Sequence, residues 1–340
     1  MGRALFRCLF AATLAPMHVE ERRNGKCFKT AQRAAMTIAL VASLALASSG
    51  CTDGSKGQQY PEASRAAGTP PTGTSTAGFS TAGTATVGAG AGQSEATGPM
   101  PVGDLPGWRR VFSEDFSEGD VPVGSFPGAA YSAKWSVNYA DGTPDTAGQQ
   151  SGGRSGYYPS KVLSVKDGML DMYLHTEKGV SMGAAPSPKL NPANGRPYDS
   201  LLYGRYSVRF RSEALQGFKT AWLLWPDSGV WPRDGEIDYP EGDLSKSFYG
   251  AVHQAGSDKD ISRNIQSGAQ FTSWHTATTE WTPGRVEFFL DGVSIGVSTV
   301  GIPDKPMHYI LQTESCLTGC PAPATVGHLQ VAWVAIWAKA

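Results

Sequence analysis

Short runs that alternate between hydrophobic and polar residues recur over the C-terminal two thirds of the chain. One example is the stretch 204–210, in which Tyr206, Val208 and Phe210 alternate with polar residues. This period of two places one apolar and one polar face on a β-strand. In segments 162–174 and 286–297, two such runs are separated by Asp-Gly, which favours a hairpin with a tight turn.

A final strand is predicted over 331–337, and no long amphipathic helix is convincing anywhere in the chain. Many strands joined by regular turns predict an all-β fold, either a sandwich or a jelly roll. The content of 41 Gly, 23 Pro and 34 aromatic residues (9 Trp, 12 Tyr and 13 Phe) agrees with turns joined by aromatic strands.

The N-terminal 50 residues have the organisation of an export signal. A basic stretch precedes the apolar run Met36–Ala47, and small residues follow it. The run is too short to span a membrane comfortably, which takes about 20 residues. Gly50-Cys51 resembles a bacterial lipoprotein box, so we predict lipidation of Cys51 and an extracellular or cell-surface protein. Its contact with the membrane would be through the lipid anchor alone. The alternative is an ordinary cleaved signal with an incidental cysteine.

A linker is predicted over 51–104, followed by one domain over 105–340. Between Pro61 and Met100, 33 of 40 positions are Ala, Gly, Ser, Thr or Pro. Such a segment buries too little apolar surface to offset the entropy of ordering it, so we expect disorder. Aromatic and branched residues begin at about Leu105, and the following 235 or so residues suit one all-β domain.

Charge and cysteine content exclude other classes of protein. The formal net charge is −1 and only 17% of residues are charged, so a basic nucleic-acid-binding domain is not expected. Five cysteines in 340 residues are too few for a disulfide scaffold. Cys316 and Cys320 lie four positions apart, and in an exported chain we expect them to form a disulfide that closes a short loop. Without a neighbouring His pair they cannot complete a zinc site.

Three acidic residues stand close together in the segment Trp231–Asp243, which reads WPRDGEIDYPEGD. Glu236 and Asp238 are two apart and share one face of a strand. Glu241 would face the other way unless a β-bulge adds one residue between Asp238 and Glu241. Pro240 lies where that bulge is needed, and proline within strands is largely confined to edges and bulges. The sequence therefore predicts three carboxylates on one face.

Clustered carboxylates raise one another's pKa, which is useful where one must be protonated and another ionised. Retaining glycoside hydrolysis needs such a pair, a nucleophile and a general acid, about 5–5.5 Å apart. A carboxyl group between them can share a proton with the nucleophile. The alternatives are a solvated acidic turn or a calcium loop, although a calcium loop would want more carboxylates and a flexible backbone.

The chain resembles glycoside hydrolase family 16, the laminarinase-type enzymes, over nearly all of 105–340. The family's E-x-D-x-x-E motif stands here as Glu236-Ile237-Asp238-Tyr239-Pro240-Glu241. Further similar segments lie in the expected order: FSEDF at 112–116, YGRY at 203–206, AWLLWP at 221–226, WP at 231–232, WTPG at 281–284, DG at 291–292 and WVAIW at 333–337.

The resemblance implies a concanavalin A-like β-jelly roll of two curved antiparallel sheets. Glu236 would be the nucleophile, Glu241 the general acid/base and Asp238 the assisting carboxylate of a secreted, endo-acting, retaining enzyme. Its substrate would be a β-1,3 or mixed β-1,3/1,4 glucan. We expect no cofactor, no metal at the site and a monomer. Structural calcium, which many members bind, is not expected here because Ala332 precedes Trp333 where the family has an acid.

Aromatic residues are expected in the cleft because sugar rings stack on them. Trp231 and Trp225 are the candidates, with Trp222 on the opposite face of the strand from Trp225. His253 and Gln312, together with Glu314, are further candidates for lining the cleft, and His253 alternatively is a hydrogen-bonded strand histidine. The segment 138–158 matches no part of the family, and we expect it to form a cleft-rim loop that sets substrate choice.

Three other functions remain open at this point. The same chemistry can act on a galactan or another cell-wall glycan, or transfer glycosyl groups instead of hydrolysing them. A jelly roll that only binds carbohydrate belongs to a different class, and the intact set of three acids argues against it. The sequence does not distinguish between the polysaccharides, because specificity resides in loops.

Overall fold

The computed structural model describes residues 98–190 and 199–340. The predicted signal, the lipidation site Cys51 and most of the predicted linker lie outside these residues. No helix within the described ranges is long and apolar enough to cross a membrane.

Strands dominate the described residues, and the two helices there, α1 (Gly128–Tyr131) and α2 (Pro159–Val162), are single turns. The first ten strands are β1 (Trp108–Glu114), β2 (Trp135–Ser136), β3 (Thr143–Pro144), β4 (Ser155–Tyr157), β5 (Leu163–Lys166), β6 (Met169–Glu177), β7 (Val180–Gly183), β8 (Ser187–Pro188), β9 (Ser200–Leu201) and β10 (Gly204–Ser212). The others are β11 (Phe218–Pro226), β12 (Glu236–Asp243), β13 (Ser247–His253), β14 (Ser262–Gln270), β15 (His275–Thr282), β16 (Arg285–Leu290), β17 (Val293–Ser298), β18 (Met307–Ser315) and β19 (Gly327–Lys339). The prediction of an all-β fold is confirmed.

Two large sheets form the sandwich. The six-stranded sheet has the order β14-β13-β12-β11-β18-β9. The eleven-stranded sheet has the order β17-β16-β15-β10-β19-β6-β7-β4-β3, with β1 paired to β19 and β5 to β6. Strands β2 and β8 form a separate pair. Pairing is antiparallel except between β4 and β7, which run parallel.

Both predicted hairpins are present, and their turns have the expected chemistry. Asp167 and Gly168 have φ angles of 53° and 70°, and Asp291 and Gly292 have 50° and 84°. Two consecutive positive φ angles define the turn whose twist matches that of the flanking strands. The first hairpin begins one residue later than predicted, because Val162 ends the helical turn α2.

The main core lies between the two large sheets. From β10, Tyr206, Val208 and Phe210 are buried in it, as the alternation predicts, and Trp222 and Leu224 of β11 face them. Burying a large apolar side chain contributes about 1.5–3 kcal/mol, so this layer supplies much of the stability that fixes the six-stranded sheet in place.

A second apolar cluster covers the outer face of the larger sheet, where residues 98–104 pack. Trp333 donates from Nε1 to the carbonyl oxygen of Gly98 at 3.2 Å, and Trp337 donates to that of Gly103 at 3.0 Å. Met100 packs against the same cluster. The domain therefore includes residues 98–104, which their composition had assigned to the linker.

Candidate active site

The three acidic residues lie on β12, in the middle of the six-stranded sheet, and the strand carries the predicted bulge. Asp238 pairs with Ala251 of β13, and Glu241 pairs with Tyr249. Two residues of β12 therefore oppose only one residue of β13. The pairing with β11 shifts at the same point. The extra residue returns Glu241 to the face that Glu236 and Asp238 occupy.

The two faces of β12 have opposite roles. Ile237 and Tyr239 are buried in the core between the sheets. Glu236, Asp238 and Glu241 line a cavity of about 570 Å³ on the other face of the sheet, with exposed fractions of only 7%, 2% and 8%. Such a volume is in the range of ligand-binding pockets. The side chains of the three predicted catalytic residues are therefore brought together in one groove.

The tryptophans divide between core and groove. Trp222 is fully buried in the core, whereas Trp225 lines the groove. Trp231 is only 7% exposed and is not among the lining residues. It lies parallel to Trp225, with ring centroids 6.4 Å apart, and contacts His253. Trp225 is therefore the better candidate for stacking on a sugar ring. Trp231, which we expected to stack on sugar, instead packs against Trp225 outside the groove lining.

His253 lines the groove and connects Asp238 to a further acid. Its Nε2 lies 3.5 Å from Oδ2 of Asp238, and its Nδ1 is 2.6 Å from Oδ1 of Asp260. Burial disfavours the imidazolium form, but the hydrogen bond to Asp260 and the charge of Asp238 outweigh it, so the pKa of His253 is raised. A protonated His253 would place a positive charge beside Asp238.

Glu241 is paired with a cation that the motif did not include. Lys219 Nζ on β11 lies 2.8 Å from Oε1 of Glu241 and 4.0 Å from Oε1 of Glu314 on β18. Tyr249 on β13 also lines this part of the groove. Burial and the nearby Glu241 carboxylate raise the pKa of Tyr249. Its hydroxyl group therefore remains a hydrogen-bond donor at neutral pH.

The segment 138–158 borders the groove at the β18 side, as expected. Tyr139, Thr146 and Tyr157 are among its lining residues. Tyr157 donates a hydrogen bond from its hydroxyl to Oε1 of Gln312 at 2.8 Å, and Gln312 also lines the groove. The buried carboxylate of Asp145 accepts hydrogen bonds from Gly148 N, Ser155 Oγ and Ser315 N, which fix the segment to β18.

The predicted disulfide is confirmed and lies beside the groove. Cys316 and Cys320 are bonded, and Leu317 and Thr318 in the loop that they close line the groove. The bond therefore shapes one rim of the cavity.

Burial and mutual repulsion shift the protonation of the carboxyl groups. Burial, followed by the charge of Glu241, raises the pKa of Glu236 to about 8, while interaction with the Trp231 indole opposes the increase. That indole does not reach standard hydrogen-bond geometry. Burial and then the charges of Glu236 and Glu241 raise the pKa of Asp238 well above its ordinary value. A protonated Asp238 is a donor that can hold an ionised Glu236.

One set of side chains in the described ranges is close enough to hold a metal ion. The potential ligand atoms of Glu236, Asp238 and His253 lie within 4.8 Å of one another. Glu114, in the FSEDF segment at the start of the domain, forms an ion pair with Lys134 instead. It also accepts hydrogen bonds from the backbone N–H groups of Asp115 and Phe116.

Lys219, Tyr249 and Asp260 belong to the site but were missed from the sequence. A signal for Lys219 was present, because positions 219, 221, 223 and 225 share one face of a strand and Trp225 was placed in the groove. No comparable signal exists for Asp260, which lies in the loop after β13 and reaches His253 only through the tertiary fold.

Three acidic side chains thus lie on the floor of a groove on a β-sandwich, which is the arrangement that the sequence predicts for a carbohydrate-cleaving protein. Consistent with this, residues 186–334 match the sequence model of the family described as "Glycosyl hydrolases family 16". This match spans less than half of the chain, and it supports a glycoside hydrolase. The matched segment includes the whole of β12.

Solved structures share the fold. The laminarinase from Rhodothermus marinus has 21% identity and a TM-score of 0.53, covering 68% of this chain and 98% of its own. A mutant of SCLam, a non-specific endo-β-1,3(4)-glucanase, has 18% identity and a TM-score of 0.55, covering 72% and 100%. A third structure comes from work on endo-acting O-glycanases that members of the human gut microbiota express to initiate mucin breakdown. It has 18% identity and a TM-score of 0.53, and the match covers 70% of this chain and 94% of the other. The jelly-roll prediction is confirmed. No curated protein matches the sequence.

Proposed function

We propose that the protein is a retaining, endo-acting β-glucanase that cleaves β-1,3 or mixed β-1,3/1,4 linkages by double displacement. The observation that carries this proposal is the bulge in β12, which brings Glu236, Asp238 and Glu241 to one groove floor. The three groups occupy the positions that the E-x-D-x-x-E motif gives to nucleophile, assisting carboxylate and acid/base.

In the first step, an oxygen of the Glu236 carboxylate attacks the anomeric carbon of the sugar. The bond from that carbon to the glycosidic oxygen breaks, and Glu241 donates its proton to the departing oxygen. A glycosyl ester on Glu236 and a shortened chain result. In the second step Glu241 takes a proton from water, the water oxygen attacks the anomeric carbon, and Glu236 leaves as a carboxylate.

Asp238 and His253 would keep Glu236 ionised for this attack. The raised pKa of Asp238 favours a protonated carboxyl that donates to Glu236 rather than a second negative charge. His253 lies 3.5 Å from the other side of Asp238 and is itself held by Asp260. In the molecules that react, the proton that burial forces onto this cluster would reside on Asp238 and not on Glu236, although the pKa of both groups is raised.

The charges of the groove favour a neutral polymer. Six of its lining residues are acidic (Glu236, Asp238, Glu241, Asp243, Asp260 and Glu314), whereas two are lysines and none of the lining residues is an arginine. A sulfated galactan or a uronic acid polymer would meet net repulsion here. This argues for glucan over the charged alternatives.

The extent of the groove supports cleavage within a chain. Its lining crosses the sheet from Asn264 on β14, through Tyr249 and the acids of β12, to Ile310 on β18. Sugar units can therefore bind on both sides of the carboxylates. Two of the similar structures are a laminarinase and an endo-β-1,3(4)-glucanase, which is the chemistry proposed here.

Release of reducing sugar from laminarin tests the proposal, with Glu236→Gln as the matched control. We expect release by the wild type and a loss of more than about 10⁴-fold in the variant, since the covalent step needs the carboxylate. A panel with lichenan, agarose, xyloglucan and mucin O-glycans identifies the preferred polymer. Equal binding of laminarin by both forms, with no release by either from any polymer, would favour a carbohydrate-binding protein.

Export and lipidation at Cys51 complete the proposal and rest on the sequence pattern alone. A lipid anchor followed by a linker of about 47 residues would hold the domain at a distance from the membrane, where it can meet an extracellular polymer. Incorporation of labelled fatty acid into wild type, and its absence in Cys51→Ala, would test this part.

A further inference from the structure

A lysine lies in the floor of the groove beside the acid/base residue, and the double displacement above gives it no role. Lys219 Nζ is 2.8 Å from Oε1 of Glu241, and the side chain is 22% exposed. Burial disfavours its charged form, but the carboxylates of Glu241 and Glu314 outweigh that effect, so the pKa of Lys219 is raised. Lys219 is therefore a permanent cation at neutral pH.

The second carboxylate near Lys219 is incompletely satisfied. Glu314 is 3% exposed, and its Oε2 has no hydrogen-bond partner among the described residues. Its Oε1 lies 4.0 Å from Lys219 Nζ, beyond hydrogen-bond distance. Burial raises the pKa of Glu314, and both Lys219 and a hydrogen-bond interaction with Thr146 oppose that increase. A movement of Lys219 Nζ by about 1 Å toward Oε1 of Glu314 would bring it within hydrogen-bond distance of that carboxylate.

Such a movement would resolve a conflict in the acid/base step. A general acid must hold a proton before it can donate one, yet a neutral carboxyl group forms no ion pair with the ammonium group 2.8 Å away. After donation, the new carboxylate needs a nearby cation. A single fixed ion pair would serve only the second state.

We propose that Lys219 is a positioning residue that alternates between Glu241 and Glu314 as Glu241 loses and regains its proton. When Glu241 is protonated, Lys219 pairs with Glu314. When Glu241 has given its proton to the glycosidic oxygen, Lys219 returns to it. The inference rests on the proposed function, because it concerns the acid/base role of Glu241.

Other charged and titratable groups face this pair from every neighbouring element. They are Glu236, Asp238 and Asp243 on β12, Tyr249 and His253 on β13, Asp145 in the segment 138–158, and Lys246 in the turn between β12 and β13. These groups are unchanged in the variants below. Lys219 also lowers the pKa of Glu236 and Asp238, so the comparison of single and double variants is needed to separate its direct effect on Glu241.

The test is a ¹³C NMR titration of protein labelled on the glutamate side-chain carboxyl carbon, with Glu241 assigned through Glu241→Gln. Lys219→Met removes the cation, so the pH at which Glu241 loses its proton should rise. Glu314→Gln leaves Lys219 with one partner and removes a repelling charge, so that pH should fall. Each shift should be about one pH unit. Lys219→Arg keeps the positive charge and should cause the smallest shift in the pH at which Glu241 loses its proton.

Folding is checked on each variant by near-ultraviolet circular dichroism, and Lys219→Arg and Glu314→Gln keep the test usable if Lys219→Met does not fold. In the double variant Lys219→Met/Glu314→Gln, the shift caused by Glu314→Gln should shrink, because it acts partly through Lys219. Shifts in the same direction, or no shift in folded variants, would overturn the proposal.

A kinetic comparison provides the second readout. Without Lys219, Glu241 becomes a poorer proton donor, so kcat/KM should fall more for laminarin than for an aryl glycoside with an activated leaving group. A purely structural role would reduce both equally and would also overturn the proposal. The titration requires no turnover. A failure to cleave laminarin would therefore count against the proposed function, whereas the role of Lys219 would still be tested by the titration.

Discussion

Glu236 is almost completely buried among other acids, and this arrangement has a cost to folding. In the unfolded chain its pKa is near the ordinary value of 4.5, whereas burial and Glu241 raise it to about 8 in the folded protein. Between these two pH values the folded state binds more protons than the unfolded state. Stability contributed by this group is therefore lost as the pH rises through that window.

Glu236→Gln should consequently stabilise the protein as it removes activity. The gain should be absent below about pH 4.5, grow with pH, and reach about 1–2 kcal/mol above pH 8. Urea unfolding at a series of pH values measures it. The exposed Glu118→Gln is the control and should show no such trend. A variant that is less stable than wild type at pH 8 would contradict the raised pKa.

At the scale of single elements, β12 is the clearest success of sequence reasoning. The positions of Glu236 and Asp238, the odd spacing of Glu241 and the proline between them required a bulge, and the strand has one. The prediction worked because strand periodicity is a local property that a single inserted residue alters in a known way.

Trp231 shows where local reasoning ends. Trp225 lies on β11, so the alternation of the strand places it on the groove face. Trp231 lies in the connection between β11 and β12, where no periodicity applies, and its distance from Glu236 in sequence suggested the wrong role. The orientation of such a residue is set by packing against Trp225 and His253.

The rim segment gives a prediction about substrate binding. Tyr139 is 36% exposed, lines the groove and stacks on Tyr157 with ring centroids 4.6 Å apart. Because Gln312 and Asp145 hold this wall in place, a sugar ring could stack there without reordering the loop. Tyr139→Ala should raise KM for long oligosaccharides about 10-fold, and Tyr139→Phe should leave it unchanged.

Oligosaccharides of increasing length measure this effect. If Tyr139 forms an outer subsite, the loss should be confined to chains long enough to reach it, with kcat for the shortest cleaved substrate unaltered. An equal loss at every length would indicate that the segment acts on the whole groove and not through one subsite.

At the scale of the whole molecule, the order of strands in the sheets could not be derived from the sequence. Strand β19 pairs with β1 near the start of the domain, with β10 and with β6. These contacts join residues that are more than 100 positions apart, and no local pattern specifies them. The prediction of a jelly roll with two curved sheets therefore came from the resemblance to family 16 and not from the periodicity of the strands.

The N-terminal boundary is also a property of the whole molecule, since residues 98–104 are held by β19 and, through Asp104, by β1. A chain that begins at residue 105 loses the hydrogen bonds from Trp333 and Trp337 to Gly98 and Gly103. It should be less stable than a chain beginning at residue 98 by about 1–3 kcal/mol, from two partly buried hydrogen bonds. Thermal unfolding compares the stability of the two proteins. Equal unfolding midpoints would indicate that residues 98–104 belong to the linker and not to the domain.

The most direct test of the central claim is to trap the covalent intermediate. With a laminaribiosyl fluoride that carries a second fluorine on the carbon next to the anomeric carbon, Glu236 should displace the anomeric fluoride, which leaves as the anion. The resulting glycosyl ester on Glu236 should hydrolyse slowly. We expect mass spectrometry of the digested protein to find one glycosyl group, on the peptide that contains Glu236, and to find none in Glu236→Gln. Attachment to another residue, or cleavage of laminarin with inversion at the anomeric carbon, would contradict the account.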